Sequence, residues 1–247
     1  MESIVSPPKS ESVSWRALYL NTISSLSPGV LMGLLCGALI GGVGGRLAML
    51  LLRLTSSDAL HGMKTDDEFT IGVITGDSFF LLAATTFLGI LGGVVYLMIR
   101  EWLPEHGRPV LTGLLAGTIG GAVVIRPGGV DFTALEPLSL AVILFIALPA
   151  TYGALLSILV ERHIDAERKR SWVGWFGAIA LVLPVLMTGP FGLGLVGLFA
   201  VCVALNRSGG ISRLAHSTPS LWTGRCLLLA VLIFSASALA RDIAKVL

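Results

Sequence analysis

The chain has 247 residues, of which 54% are hydrophobic and only 13% charged, about half the charged fraction of a soluble globular domain. Its formal net charge of +2 leaves no broad basic field, which excludes nucleic acid as a partner. Charges sit in short bands between long apolar runs, so the bulk of the chain reads as membrane-embedded and the lipid bilayer as its first partner.

Residues 1–28 read as an N-terminal cytoplasmic tail. Glu2, Pro7, Pro8, Lys9 and Glu11 precede any apolar stretch, and no short apolar core with a small-residue cleavage site follows, as a secretory signal would require. Trp15, Leu18, Thr22 and Leu26 fall at helical spacing, which suits either an interfacial helix or a loose tail. Residues 29–247 read as one transmembrane domain.

A spanning helix needs about 20 apolar residues. Leu31–Leu52 supplies the first, with Arg46 inside it, and Phe79–Ile99 the second. Val110–Ile125 is a short third, and Leu138–Val160 a fourth carrying Pro149. Trp172–Leu205 is too long for one helix and is broken at Thr188, Gly189 and Pro190, so it reads as a tight hairpin forming spans five and six. Cys226–Ala240 is the seventh, short unless Leu221 and Trp222 join it. The expected fold is thus an all-α polytopic bundle of about seven spans.

Under this count one side holds eleven Lys and Arg residues and the other five, which places the N-terminus in the cytoplasm and the C-terminus outside. Trp15, Trp102, Trp172, Trp175 and Trp222 all fall on the cytoplasmic side. The outer side then carries Arg53–Ser78, with Asp58, His61, Asp66, Asp67, Glu68 and Asp77, and Arg126–Pro137, with Asp131 and Glu136. Phe69–Thr75 has the composition of a short extended piece.

Glycine recurs every four residues in the first span (Gly33, Gly37, Gly41, Gly45), in the second (Gly89, Gly93) and in the third (Gly113, Gly117, Gly121). Small residues at this spacing form a groove that lets helix backbones approach closely; a glycine-lined pore is the alternative use. Arg46 is the one ionisable residue well inside a predicted span, and Arg53 lies seven residues on, on nearly the same face. A membrane arginine needs a partner, a wet cavity or the headgroup layer. The expectation is a pairing of Arg46 with Asp67, Asp77 or Asp131, or a snorkelling anchor; an anion contact is the functional alternative.

Absences narrow the chemistry. His61, His106, His163 and His216 read as loop residues, so haem held between spans is not expected. No Asp or Glu falls within a predicted span, which removes the usual carboxylate of ion-coupled carriers. No mid-span lysine serves a Schiff base, and no Walker A or HExxH motif occurs. Asp66, Asp67 and Glu68 lack ligand spacing and read as a solvated acidic loop, not a metal site. Cys36, Cys202 and Cys226 have no CxxC partner and read as buried free thiols. No cofactor, metal or catalytic residue is therefore assigned.

Four stretches together resemble a family of uncharacterised multi-pass membrane proteins common in actinobacteria: GGRLAMLLLRLTS (Gly44–Ser56), TDDEFTIG (Thr65–Gly72), GGVVYLMIREWLP (Gly92–Pro104) and DFTALEPLSLAVILFIALPATYGALLSILVER (Asp131–Arg162). The resemblance covers about residues 30–165. It implies a bacterial plasma-membrane protein and carries over no catalytic residue.

Three functions stay open. The leading one is a non-enzymatic protein that packs with itself or with a membrane partner, or serves as an accessory subunit. The second is a small-solute transporter or channel with Arg46 facing a cavity. The third is a lipid-modifying enzyme using Asp67, Asp131 or His61 beside Arg46. The sequence also suggests a hairpin repeat, 31–99 and 110–160. Each copy has a glycine-every-four helix, then an arginine (Arg46, Arg126), then an acid followed by Phe-Thr (Glu68-Phe69-Thr70, Asp131-Phe132-Thr133). Each closes on adjacent opposite charges (Arg100-Glu101, Glu161-Arg162).

A topology reporter inserted in His163–Arg170 should read cytoplasmic, and one in Thr65–Glu68 should read outside. Both loops reporting from one side would refute the span count between them.

Overall fold

The computed structural model describes residues 15–56, 76–126, 128, 137–167 and 218–246, with side chains over a slightly narrower set that leaves out Asp77. Every element in these residues is helical. Helix α1 (Trp15–Cys36) runs through a π-type segment (Gly37–Gly44) into α2 (Gly45–Thr55). Helix α3 (Gly76–Ile99) returns and closes in a 3₁₀ turn (Arg100–Trp102). After a second 3₁₀ turn (Glu105–Gly107) come α4 (Arg108–Val124), α5 (Leu138–Glu167) and α6 (Thr218–Val246).

Five stretches of these residues are long and apolar enough to cross a membrane: Ser25–Thr55, Phe80–Trp102, Glu105–Val124, Leu138–Ile164 and Ser220–Val246. Their outer surface agrees with that. Phe80, Val110, Val123, Ile233 and Phe234 are each about two-thirds exposed, a continuous apolar covering that water would not tolerate and lipid requires.

The helices are longer than the apolar runs that announce them. Helix α1 begins at Trp15 and passes through Pro28, so the boundary drawn at residue 28 is no break in the backbone. The last helix takes in Leu221 and Trp222, which gives the short run Cys226–Ala240 a full crossing length. Helix α5 continues past Val160 to Glu167, so Glu161 and His163 lie on a spanning helix and not in a loop. Apolar content marks where a helix meets lipid, whereas backbone hydrogen bonding carries it on through the polar layer. Phe69–Thr75 and the hairpin Trp172–Leu205 lie outside the described residues.

Helix α1 packs against α3, and α4 against α5. In both pairs the contact is made by small residues. A methyl group built on Gly33 would collide with the carbonyl oxygen of Gly89, and one on Gly29 would lie 2.6 Å from the carbonyl oxygen of Gly93. On Gly37 it would lie 2.5 Å from the oxygen of Thr85 and 2.9 Å from the Cα of Gly89. Across α4 and α5, a methyl on Gly153 would lie 2.6 Å from the oxygen of Thr112, and one on Gly117 3.0 Å from the Cβ of Ala150. Gly41 reaches the Thr85 side chain and Gly121 reaches Ile146 and Leu239. Gly45 alone of the first-span series faces open space. The π segment accounts for it: its wider winding turns the helix so that Gly42 takes up the contact with Leu82, and the four-residue series leaves the α3 face before Gly45.

Helix α6 lies against α4, where Ser235 donates to Thr118 Oγ1 at 2.9 Å. One apolar cluster, Leu52, Ile125, Ala141, Val142 and Leu239, joins α2, α4, α5 and α6 at one end of the bundle. Another, Cys36, Tyr96, Leu103, Leu115, Leu156 and Val160, joins the helices toward the opposite end.

Gly33→Ala and Gly89→Ala should each cost about 1–3 kcal/mol, as overpacking does where the obstacle is backbone. Gly45→Ala should be neutral or stabilising, by up to about 1 kcal/mol of helix propensity. Unfolding of the purified variants in mixed micelles checks the order, and equal effects at all three positions would refute it.

Candidate functional site

The polar residues of the described bundle converge at the end where α3 leaves it. Tyr96 lies in the last turn of α3 and Arg100 opens the 3₁₀ turn that follows it; on α5, Ser157 and Glu161 are four residues apart and share a face. The two segments meet. The phenol of Tyr96 donates to Glu161 Oε1 at 2.7 Å, and Arg100 grips the carboxylate with two bonds, Nε to Oε1 at 3.2 Å and Nη2 to Oε2 at 3.1 Å. Arg108, the first residue of α4, adds Nη1 to Oε2 at 3.1 Å. Tyr96 Oη also lies 2.9 Å from Ser157 Oγ. Since the single phenolic proton goes to Glu161, the serine hydroxyl is the donor there.

Local sequence sets these positions. Pro104 and Gly107 break the chain between α3 and α4 into two short turns, and Pro109 sits in the first turn of α4, where a missing N–H costs nothing. That tight connection places Arg100 and Arg108 on either side of one carboxylate. Glu161 is about one-quarter exposed, Arg100 22% and Arg108 12%. The three charges sum to +1.

Four donors occupy the two oxygens of Glu161, which saturates the carboxylate. Structural donors therefore hold both oxygens of the group. Its chemistry is that of a clamp holding α3, α4 and α5 together. Beside it, Arg225 of α6 donates from Nε to the carbonyl of Trp102 at 3.3 Å, and the Trp102 ring packs on Gly224. The start of α6 therefore sits at the same end as Glu161.

A second polar contact lies deeper. Tyr152 on α5 donates to the backbone oxygen of Gly89 on α3 at 2.7 Å. Cys36 is buried as expected, whereas Cys226 is exposed, against the expectation of a buried thiol, and Cys202 lies outside the described residues. Among the described residues no group of three His, Cys, Asp or Glu side chains is placed to hold a metal.

The residues singled out from sequence lie elsewhere. Arg46 and Arg53 are half-buried on α2, each engaged in a contact, and Arg126 is exposed just beyond α4. Asp67 and Asp131 are outside the described residues, as is the side chain of Asp77, so the pairing expected for Arg46 falls there too. Arg46, Arg53 and Arg126 lie apart from the Glu161 cluster. Sequence reasoning missed Glu161 by ending the fourth span at Val160. The available signal was Ile164, which continues the apolar face one turn beyond Val160, with two arginines flanking the short loop opposite. Compared with known proteins, the chain matches no family model, no curated protein and no solved structure.

Glu161→Ala should be the most damaging change here, at about 3 kcal/mol, the low end for a broken buried pair because the carboxylate keeps some solvent. Arg100→Gln should cost less, since Arg108 still neutralises Glu161. Arg108→Gln should cost least, because it removes the surplus charge. Thermal unfolding of the detergent-solubilised variants gives the order; Arg108→Gln as damaging as Glu161→Ala would refute the clamp.

Proposed function

We propose that this chain is a non-enzymatic protein of the bacterial plasma membrane, with seven spans and a cytoplasmic N-terminus, that works by packing against a second copy or another membrane protein. The observation that carries the reading is the saturated Glu161. Among the acids that fall within the described spans, Glu101, Glu105, Glu161 and Asp242, it is the one that ties three helices together, and four donors occupy its two oxygens. What the bundle presents outward is apolar: Trp222, Leu227, Leu229, Ile233 and Phe234 of α6 are all exposed. Glycine at four-residue spacing gives the chain the close-packing faces that such proteins use.

The span count gains support from parity. Helix α5 leaves the bundle at the Glu161 end, and α6 enters at that end beside Trp102. Both ends of the segment 168–217 thus adjoin one face, which suits the even number of crossings read from its sequence. Its apolar stretch Trp172–Leu205 is long enough for two, and two added to five makes seven. Arg100, Arg108 and Arg225 gather at this end, the side that positive charge marks as cytoplasmic.

Reconstitution into liposomes tests the reading. Single-molecule photobleaching at rising protein-to-lipid ratio should show association, while entrapped ions and small solutes should leak no faster than from empty liposomes. Monomers at every ratio together with solute release would replace the proposal with the transporter reading.

A further inference from the structure

Two sequence offsets relate the halves of the bundle. Adding 80 carries Gly33, Gly37, Gly41 and Arg46 to Gly113, Gly117, Gly121 and Arg126. Adding 61 carries Arg100 and Glu101 to the charged positions Glu161 and Arg162. If the hairpins are copies, these offsets dictate contacts: residues that meet in the first must have images that meet in the second. Gly33 abuts the oxygen of Gly89, and its image Gly113 abuts the oxygen of Ala150, the image of Gly89. Gly37 faces the oxygen of Thr85, and Gly117 faces the oxygen of Ile146. Gly41 meets the Thr85 side chain, and Gly121 meets the Ile146 side chain. Gly33 approaches Gly93, and Gly113 approaches Ala154.

The seam between the hairpins obeys the same offset. Tyr96 bonds Ser157 and Arg100 bonds Glu161, each pair 61 residues apart. Equivalent positions therefore face each other where α3 and α5 meet. Such a seam cannot carry the same charge twice without repulsion; here one copy supplies the arginine and the other the glutamate. The symmetry is not exact. Helix α1 packs on α5, whereas α4 does not pack on α3 in the same way, and Gly92 faces Tyr152 while its image Gly153 faces Thr112 and Ala116.

We propose that residues 29–100 and 109–161 are two copies of one helical hairpin, docked through a seam in which equivalent positions meet and which Arg100 and Glu161 lock. The interface fits one kind of partner, a second copy of the hairpin with the opposite charge at the locking position. The assignment holds whichever function the whole chain performs.

Disulfide scanning and alkylation of the full chain in membranes test it. Cysteine at position 41 is paired in turn with cysteine at 82, 85, 86 or 89, and cysteine at 121 with cysteine at 143, 146, 147 or 150. Cross-linking should peak at 85 and at 146. Peaks at positions that are not 61 apart would overturn the repeat. Cys36, buried in the apolar cluster that also holds Tyr96 of the first hairpin and Leu156 and Val160 of the second, reports on the seam. Arg100→Gln and Glu161→Gln should each raise its alkylation rate at least about tenfold, followed by peptide mass spectrometry, with the cross-links inside each hairpin unchanged. An unchanged Cys36 rate would overturn the lock, and so would loss of the intra-hairpin cross-links along with it.

Discussion

In a bilayer an apolar side chain gains little by leaving lipid for protein, so hydrophobic burial cannot be what joins these helices. What remains is dispersion, which depends on how many atoms come within reach, and interhelical hydrogen bonds. Both grow as backbones draw together, and the missing side chains at Gly33 and Gly89 are what let them do so. A methyl at either position would occupy the space of the opposing carbonyl. The same device, built with alanine on one side at Ala150 and Ala154, closes the second.

The seam between hairpins is built on a different principle. Large side chains span it, and their polar ends are satisfied one by one: Tyr152 on a backbone oxygen, Tyr96 between a serine and a carboxylate, two arginines on the same carboxylate. Each bond gains strength from the low dielectric near the membrane, and each would be costly if left half-made. Small residues thus fix the inside of each hairpin, and polar side chains fix how hairpins meet. The first device asks only for small size, glycine where the opposing atom is backbone and alanine where a methyl fits. The second is specific, since one carboxylate needs its particular donors.

Much of this organisation was legible in the sequence because lipid imposes a simple code. Long apolar runs located the five described spans, and several of the period-four glycines, though not Gly45, lie against a neighbouring helix. The site was far less legible. Arg46 stood out because it interrupts an apolar run, yet the polar cluster forms around Glu161, which sits where a run fades into charge. Composition cannot distinguish a residue just outside the membrane from one on the last buried turn; that depends on how far the helix continues, and α5 continues for seven residues beyond Val160. Nor does composition reveal that the short loop around Pro104 brings two arginines to the same carboxylate. The π segment was equally hidden, although it decides that Gly42 and not Gly45 carries the first helix's last contact with α3.

The placement of the charged clamp also bears on how such a bundle is assembled. Arg100, Arg108 and Glu161 belong to three different helices, and neither ion pair can form until both of its helices are inserted. Near the headgroup layer each can wait in water, because its side chain reaches the interface. At mid-membrane each would wait unpaired in hydrocarbon at a cost of about 2.5–3.5 kcal/mol. The glycine seams carry no such penalty and can close as soon as two helices are side by side. The charged contacts thus hold the end of the bundle, while glycine contacts and neutral bonds such as Tyr152 to Gly89 hold its middle. A clamp at the end still fixes the relative tilt of the hairpins, because a constraint far from the crossing point has the longest lever. Glu161 can thus set the geometry of the whole bundle without being buried at its centre.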